Sequence, residues 1–371
     1  MPEIRVRGLV KDFGAQRALD AIDFTVRDGE FLTLLGPSGC GKSTTLMCIA
    51  GLLRPDAGLI ACGDQVFYEA AAGVNVAAER RSLGIVFQSY AIWPHMTVFE
   101  NVAFPLRLRK VEQKELARRV AEVLDLVEMA HLASRYPHQL SGGQQQRVAM
   151  ARALSYSPKV LLLDEPFSNL DAKLRERARG WMAGLQRQLA LTTVFVTHDQ
   201  DEALAMSDRV VAMDHGRILQ IGSPETIYKR PNSRFVAEFV GQCNLFAGRV
   251  SSSRESDFTF AVADSSIELC VDGDAGKFTA TEVLLALRPE AIEAATEPRR
   301  DSRNCFAAQI QTATYLGDHY LCELLIGGIR CSWSTTRLPP GDHLTVRLPP
   351  DAFVLVHDDG RADQVADPDT D

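Results

Sequence analysis

The sequence predicts an α/β domain carrying a helical insertion, followed by a small all-β domain. Three observations predict it. Buried-strand patterns alternate with helical stretches over residues 1–235. A stretch without a strong strand, about 89–157, interrupts them. Beyond residue 236 the helical period gives way to short alternating runs bounded by Gly, Asp and Ser. The chain has 371 residues, enough for two or three domains. It is 46% hydrophobic and 24% charged, so it can build a core without disulfide staples.

The elements follow in order. Residues 30–35 are almost continuously apolar and run into Gly36, the pattern of a strand covered on both faces. Gly36-Pro37-Ser38-Gly39-Cys40-Gly41-Lys42-Ser43 follows directly, and Thr44 continues into an apolar helix to residue 50. Strand, Gly-rich loop and helix in this order form a phosphate loop. Gly36, Gly39 and Gly41 let the backbone close around an anion, toward which loop amides and the helix N-terminus point. Lys42 then reaches the β and γ phosphates of a nucleotide, the Ser43 hydroxyl ligates Mg2+, and Thr44 adds a phosphate contact. Cys40 is expected to be a reactive thiol, because a helix N-terminus beside Lys42 favours thiolate; the plain alternative is that it fills space.

In the insertion, Leu116, Val120, Val123, Leu124 and Val127 share one helix face. The stretch 90–97 is apolar, broken by Pro94 and poor in helical period. Tyr90, Ile92 and Trp93 have no evident place in a core there, so partner contact is preferred over burial. His95 has no second ligand nearby. Ser141-Gly142-Gly143-Gln144 opens a helix over 145–154, a second N-terminus suited to an anion but without a lysine. A strand over 159–164 ends in Asp164 and Glu165. Beside a phosphate loop, Asp164 is placed to hold Mg2+ through water and Glu165 to polarise an attacking water. The strand 193–197 leads to His198. Asp199 is the better helix cap, which leaves the imidazole for the γ-phosphate. Strands are expected at 244–250, 267–271, 283–288, 306–315 and 320–326, a small barrel or sandwich.

Charge separates the two halves. Net charge is +3 through Arg234 and −11 from Phe235 onward, together −8. The acidic half argues against a nucleic-acid partner. Residues 358–371 hold six Asp and one Arg without apolar periodicity, the composition of a disordered acidic tail. The eight cysteines include no CxxC pair and fit neither a zinc site nor a disulfide framework, as buried thiols in a reducing compartment would. No apolar run approaches the ~18 residues of a membrane span. Glu3, Arg5 and Arg7 stand where a signal peptide would be apolar, so neither secretion nor membrane insertion is expected.

These motifs, in this order, resemble the nucleotide-binding subunits of ABC transporters. LSGGQQQRVAMARAL resembles their signature, the phosphate loop their Walker A, LLLDEP their Walker B, Gln88 their Q-loop, Ser168–Asp171 their D-loop and His198 their switch histidine. The family more often has Ala where Asn169 stands. The resemblance spans residues 1–235. Residues 236–357 resemble the OB-like (TOBE) domain appended to importer ATPases, through FVGQCNLF, LRPE and YLGD. The implied fold is an α/β P-loop ATPase domain with helical insertion, followed by a small all-β OB-like regulatory domain.

The resemblance implies a peripheral ATP hydrolase, a translocase subunit at the cytoplasmic face of the inner membrane. It implies catalytic roles for Lys42, Glu165 and His198, and Mg2+ held by Ser43, Gln88 and Asp164. ATP is implied to contact Phe13 and residues 36–44 of one copy. Ser141, Gly142, Gly143, Gln144 and Asp171 of a second copy would complete a head-to-tail dimer. On spacing alone Phe13 reads as an ordinary core or surface aromatic; with Lys11, Gly14 and the loop downstream, the resemblance makes it an adenine platform. Membrane permease subunits, and indirectly a solute-binding protein, are implied partners, with Trp93 as the permease anchor. The solute is left among ferric iron, polyamines, phosphonates and sugars. The alternative is a soluble ABC-type ATPase regulating a ribosomal or nucleic-acid process. Those relatives usually carry two cassettes or a long coiled coil, and this chain has neither.

Overall fold

In the computed structural model, which describes residues 3–254, 256–273, 283–295 and 303–357, the chain divides between Pro224 and Glu225 into two units. The first opens with a hairpin of β1 (Ile4–Phe13) and β2 (Gln16–Val26), followed by β3 (Phe31–Leu35) and α1 (Lys42–Ala50). Next come β4 (Ala57–Cys62), β5 (Gln65–Glu69), β6 (Val74–Asn75) and β7 (Leu83–Val86). Helices α2 (Val98–Leu108), α3 (Gln113–Leu126) and α4 (Gly142–Leu154) follow. The unit closes with β8 (Val160–Asp164), α5 (Ala172–Leu189), β9 (Thr192–Thr197), α6 (Gln200–Met206), β10 (Arg209–Asp214) and β11 (Arg217–Gly222).

Six strands form one sheet in the order β11-β10-β3-β9-β8-β7, and all its neighbours are parallel except β11. Every residue of β3, β8 and β9 is buried, which explains why their sequences show almost no polar face. The pattern of buried strands alternating with helices accounts for this sheet but not for a second one. Strands β2-β1-β4-β5-β6 pair antiparallel into a separate five-stranded sheet. Register irregularities in β1 break the strict two-residue alternation that would have revealed it.

A buried arginine joins α1 to the approach of β7. Arg81 is 0% exposed, and its Nη1 donates to the carbonyls of Cys48 (2.8 Å) and Ile49 (2.9 Å) at the end of α1. Its Nε donates to the Val76 carbonyl at 2.8 Å, and its guanidinium carbon stands 5.3 Å from the Phe67 ring centroid. Burial lowers its pKa, but the carbonyls at the negative end of the helix dipole satisfy the charge.

No strand interrupts the described residues between β7 and β8. α2–α4 pack there around Val102, Leu106, Leu116, Val120, Leu124 and Val148. Leu116, Val120 and Leu124 form the buried face of α3, and Val123 is half-buried beside it. Thr97 starts α2 through a capping box with Glu100.

The second unit contains α7 (Pro224–Lys229), from Glu225 on, and α8 (Arg234–Phe239). The boundary expected at residue 235 therefore lies inside α8. β12 (Asn244–Ser253), β13 (Asp257–Val262), β14 (Glu268–Asp272), β15 (Val283–Leu287) and β16 (Glu293–Ala294) follow. After them come β17 (Cys305–Tyr315), β18 (Tyr320–Ile326), β19 (Ile329–Thr335), β20 (His343–Arg347) and β21 (Val354–Val356). They make two five-stranded sheets, β14-β13-β12-β15-β21 and β16-β20-β17-β18-β19. One core that includes Phe258, Phe260, Leu285, Leu324 and Val346 spans both. Trp333 is buried in it, its indole N–H donating to the Ile292 carbonyl at 2.9 Å. The unit is OB-like, as expected. The expected tail, 358–371, lies outside the described residues.

Candidate active site

Strands β3, β9, β8 and β7 are neighbours in one parallel sheet, so the segments leaving their carboxyl ends meet along one edge. The phosphate loop leaves β3, Gln88 follows β7, Asp164 ends β8 with Glu165 next, and His198 follows β9.

The loop is shaped for a phosphate. Gly41 caps α1 in the left-handed region, φ 109°, and offers no side chain to the helix amides. A Cβ there would lie 2.7 Å from the Ala18 carbonyl, so only glycine fits. Pro37, Ser38, Gly39, Ser43 and Thr44 are exposed or half-buried, whereas Gly36, Cys40 and Gly41 are buried. Lys42 is 4% exposed, and its Nζ donates to the carbonyls of Gly36 and Pro37, both at 2.7 Å. A buried ammonium is thus held inside a ring of backbone at the helix N-terminus.

Cys40 does not behave as its position suggested. It is 3% exposed, and burial raises its thiol pKa more than Lys42 lowers it. Burial and the raised thiol pKa both oppose a reactive thiolate and favour the space-filling alternative.

Ser43 Oγ donates to Asp164 Oδ1 at 2.8 Å. Asp164 is 8% exposed, and burial, with Glu165 alongside, raises its pKa despite Ser43 and Lys42. Glu165 has φ 43°, a left-handed conformation that costs a non-glycine residue of order 1 kcal/mol or more. Ser168 holds it there, its N–H and hydroxyl both donating to the Glu165 carbonyl (3.3 and 3.0 Å). One carboxylate oxygen, Oε1, lies 3.1 Å from His198 Nδ1, and Oε2 accepts from Gln88 Nε2 at 3.3 Å. His198 therefore rests on Glu165 instead of standing free.

Asp199 caps α6, as expected, accepting from the Glu202 N–H. Two further groups, which no local pattern marks, hold this turn. Thr197 Oγ1 donates to buried Glu202 at 2.6 Å and accepts from the Asp199 N–H at 3.0 Å.

The other expected site residues make local bonds. Ser141 and Gln144 form a capping box on α4: the Ser141 N–H donates to Gln144 Oε1 at 2.9 Å, and Ser141 Oγ accepts from the Gln144 N–H. Gly142 and Gly143 form the first turn behind it. Asp171 caps α5 through the Leu174 N–H, 2.9 Å. Phe13 is 51% exposed at the end of β1, with Lys11 Nζ 5.5 Å from its ring centroid.

In the 90–97 stretch Tyr90 corrects the expectation. It is 5% exposed, in the core with Val86, Met150 and Phe167, because left-handed φ values at Tyr90 and Ala91 turn the chain inward. Ile92 packs partly on that core, whereas Trp93 is 44% exposed. Trp93 borders a depression of about 320 Å³ with Phe104, Leu108, Arg109 and Tyr156.

The chain is similar to known proteins over both units. Residues 19–168 match the ABC transporter family and residues 285–356 the TOBE domain. The spermidine/putrescine import ATP-binding protein PotA of Trichormus variabilis is 43% identical over 329 residues, 88% of this chain and 84% of that protein. The trehalose/maltose import ATP-binding protein MalK of Thermococcus litoralis is 43% identical over 334 residues, 89% of this chain and 90% of that protein. Among solved structures, cbiO1 of Clostridium perfringens, part of an ABC transporter complex, superposes with TM-score 0.55 at 31% identity, covering 60% of this chain and 89% of that one. A dimeric bacterial ABC transporter cassette gives TM-score 0.52 at 31% identity, over 60% of this chain and 98% of that one. The chain belongs to the ABC transporter family, as an importer-type ATP-binding subunit with a TOBE domain.

Proposed function

We propose that this subunit hydrolyses ATP at the edge where β3, β7, β8 and β9 end, and that two copies close head to tail around the nucleotide. The observation that carries the reading is the run of contacts Ser43–Asp164, Gln88–Glu165 and Glu165–His198, which links residues from four strand ends. Lys42 and the α1 amides bind the β and γ phosphates. Phe13 stacks on adenine. Glu165 orients the attacking water and draws on its proton, while His198 steadies the carboxylate. The start of α4 in the second copy, Ser141 to Gln144, faces the γ-phosphate, and Asp171 approaches the opposing loop. The capping box leaves the Ser141 hydroxyl proton available as a donor.

Ser43, Asp164 and the amide oxygen of Gln88 form an all-oxygen donor set suited to Mg2+. The burial that raises the Asp164 pKa fits a carboxylate whose charge is completed by a cation. Magnesium, when bound, offsets charge on the β and γ phosphates.

The transport reading places the subunit peripherally at the cytoplasmic face of the membrane, with Trp93 and its depression seating a permease segment. A solute-binding protein would deliver the solute. Relatives named for spermidine/putrescine and for trehalose/maltose share the same 43% identity, which supports a polyamine or a sugar as solute. Uptake of labelled spermidine and maltose in a deletion strain tests this. Wild-type protein should restore one of them and Lys42→Ala neither; restoration by both would contradict the ATP-driven reading.

A further inference from the structure

We propose that Asn169 is a positioning residue that sets the Gln88 loop against Glu165. The inference rests on the active-site reading above and adds a residue to it. Asn169 Nδ2 donates to the Gln88 backbone carbonyl at 2.8 Å, across 81 residues of chain. Gln88 Nε2 in turn donates to Glu165 Oε2 at 3.3 Å. Gln88 is thus gripped twice, by backbone and by side chain, from one short loop after β8.

The gripping loop is firm and the gripped one is not regular. On the Asn169 side, Ser168 donates twice to the Glu165 carbonyl, and the Leu170 N–H donates to the Phe167 carbonyl at 3.1 Å. Phe167 and Leu170, on either side of it in sequence, are 0% and 5% exposed. Asn169 itself is exposed, so its side chain is spent on this bond and not on packing. On the other side, Gln88 lies between the end of β7 and two left-handed residues, Tyr90 and Ala91, without a strand or helix to fix it. Arg152 secures the carbonyl of Tyr90 at 2.8 Å, but among the bonds of the described residues only Asn169 reaches that of Gln88.

The bond requires an amide donor. Alanine, which the resemblance makes the commoner residue at this position, has none. Aspartate is an acceptor only and would face another oxygen. Displacement of a reacting geometry by about 1 Å can cost up to ~10²-fold in rate, so the bond that holds the Gln88 backbone matters to turnover.

The experiment measures kcat and KM for ATP, and the thermal midpoint, for Asn169→Ala, Asn169→Asp, Gln88→Ala and the Asn169→Ala/Gln88→Ala pair in the full chain. Losing one net hydrogen bond from the working geometry should lower kcat about 3–10-fold in Asn169→Ala. Asn169→Asp should lose at least as much, and KM and midpoint should stay near wild type in both. In the Gln88→Ala background, Asn169→Ala should cost nothing further, since there is no side chain left to aim. Wild-type kcat in Asn169→Ala or in Asn169→Asp overturns the proposal, as does a multiplicative loss in the pair or a fall in midpoint without a fall in kcat. Glu165→Gln is the separate control. If it hydrolyses normally, the active-site reading fails; if it is inactive while Asn169→Ala is normal, only the positioning role fails.

Discussion

His198 Nδ1 lies 3.1 Å from Glu165 Oε1, joining the ends of two adjacent strands, β9 and β8, through their side chains. The contact fixes one oxygen of a residue already held in a left-handed turn. His198→Ala removes that restraint without creating a cavity, because the imidazole is 53% exposed. ATP hydrolysis should fall ~10²-fold or more, the scale of a disturbed acid–base group. Nucleotide binding, measured with a fluorescent ATP analogue, should hold within about threefold. Normal hydrolysis would remove His198 from the site.

Lys42→Ala acts on binding and chemistry together. The ammonium is buried among loop carbonyls, so its loss removes the main cation and leaves the Gly36 and Pro37 carbonyls without their donor. Turnover should fall ~10²-fold or more, typical of losing a major electrostatic stabiliser. Filter-binding should show weakened retention of ATP. Near-normal turnover would contradict the phosphate-loop assignment.

Trp93 separates transport from hydrolysis. Trp93 is 44% exposed, and its ring centroid stands 5.9 Å from that of Phe104. Trp93→Ala should change stability by about 0.5 kcal/mol or less, the usual range for surface positions. Basal ATPase of the isolated subunit should stay within about twofold, while solute uptake and co-purification with the permease are lost. Unfolding would make Trp93 a core residue, and normal uptake would move the permease contact elsewhere.

Arg81→Met tests the buried arginine. Methionine fills much of the volume but donates nothing to the Cys48, Ile49 and Val76 carbonyls. Stranding such acceptors should cost about 3 kcal/mol in all. The midpoint of the ATPase unit, followed by circular dichroism, should drop by about 6–12 °C. An unchanged midpoint would show that water replaces the guanidinium.

What could be read from the sequence was what is local. Gly36 to Thr44 announces its own turn, and β3, β8 and β9 carry their burial in their composition. The β1–β2 hairpin was hidden because irregular register mixes its faces. Strands β13, β19 and β20 were missed for a related reason: outward Thr, Ser, Arg and His residues dilute their apolar positions. Tyr90 looked like part of Trp93's exposed patch, yet backbone turns at Tyr90 and Ala91 send the two rings to different places. Cys40 was misjudged because charge proximity is visible in a sequence and burial is not. Asn169 bonds a carbonyl 81 residues away, which no spacing rule pairs with it.

Glu165→Gln bears most directly on the claim that Glu165 drives hydrolysis of an ATP shared by two copies. The amide keeps the size of the carboxylate and loses its basicity. The purified variant, run on size-exclusion chromatography with and without ATP and Mg2+, should elute as a monomer without nucleotide and as a stable dimer with it. Its hydrolysis should be reduced ~10²-fold or more. A variant that stays monomeric with ATP, or that turns over at the wild-type rate, would contradict the account.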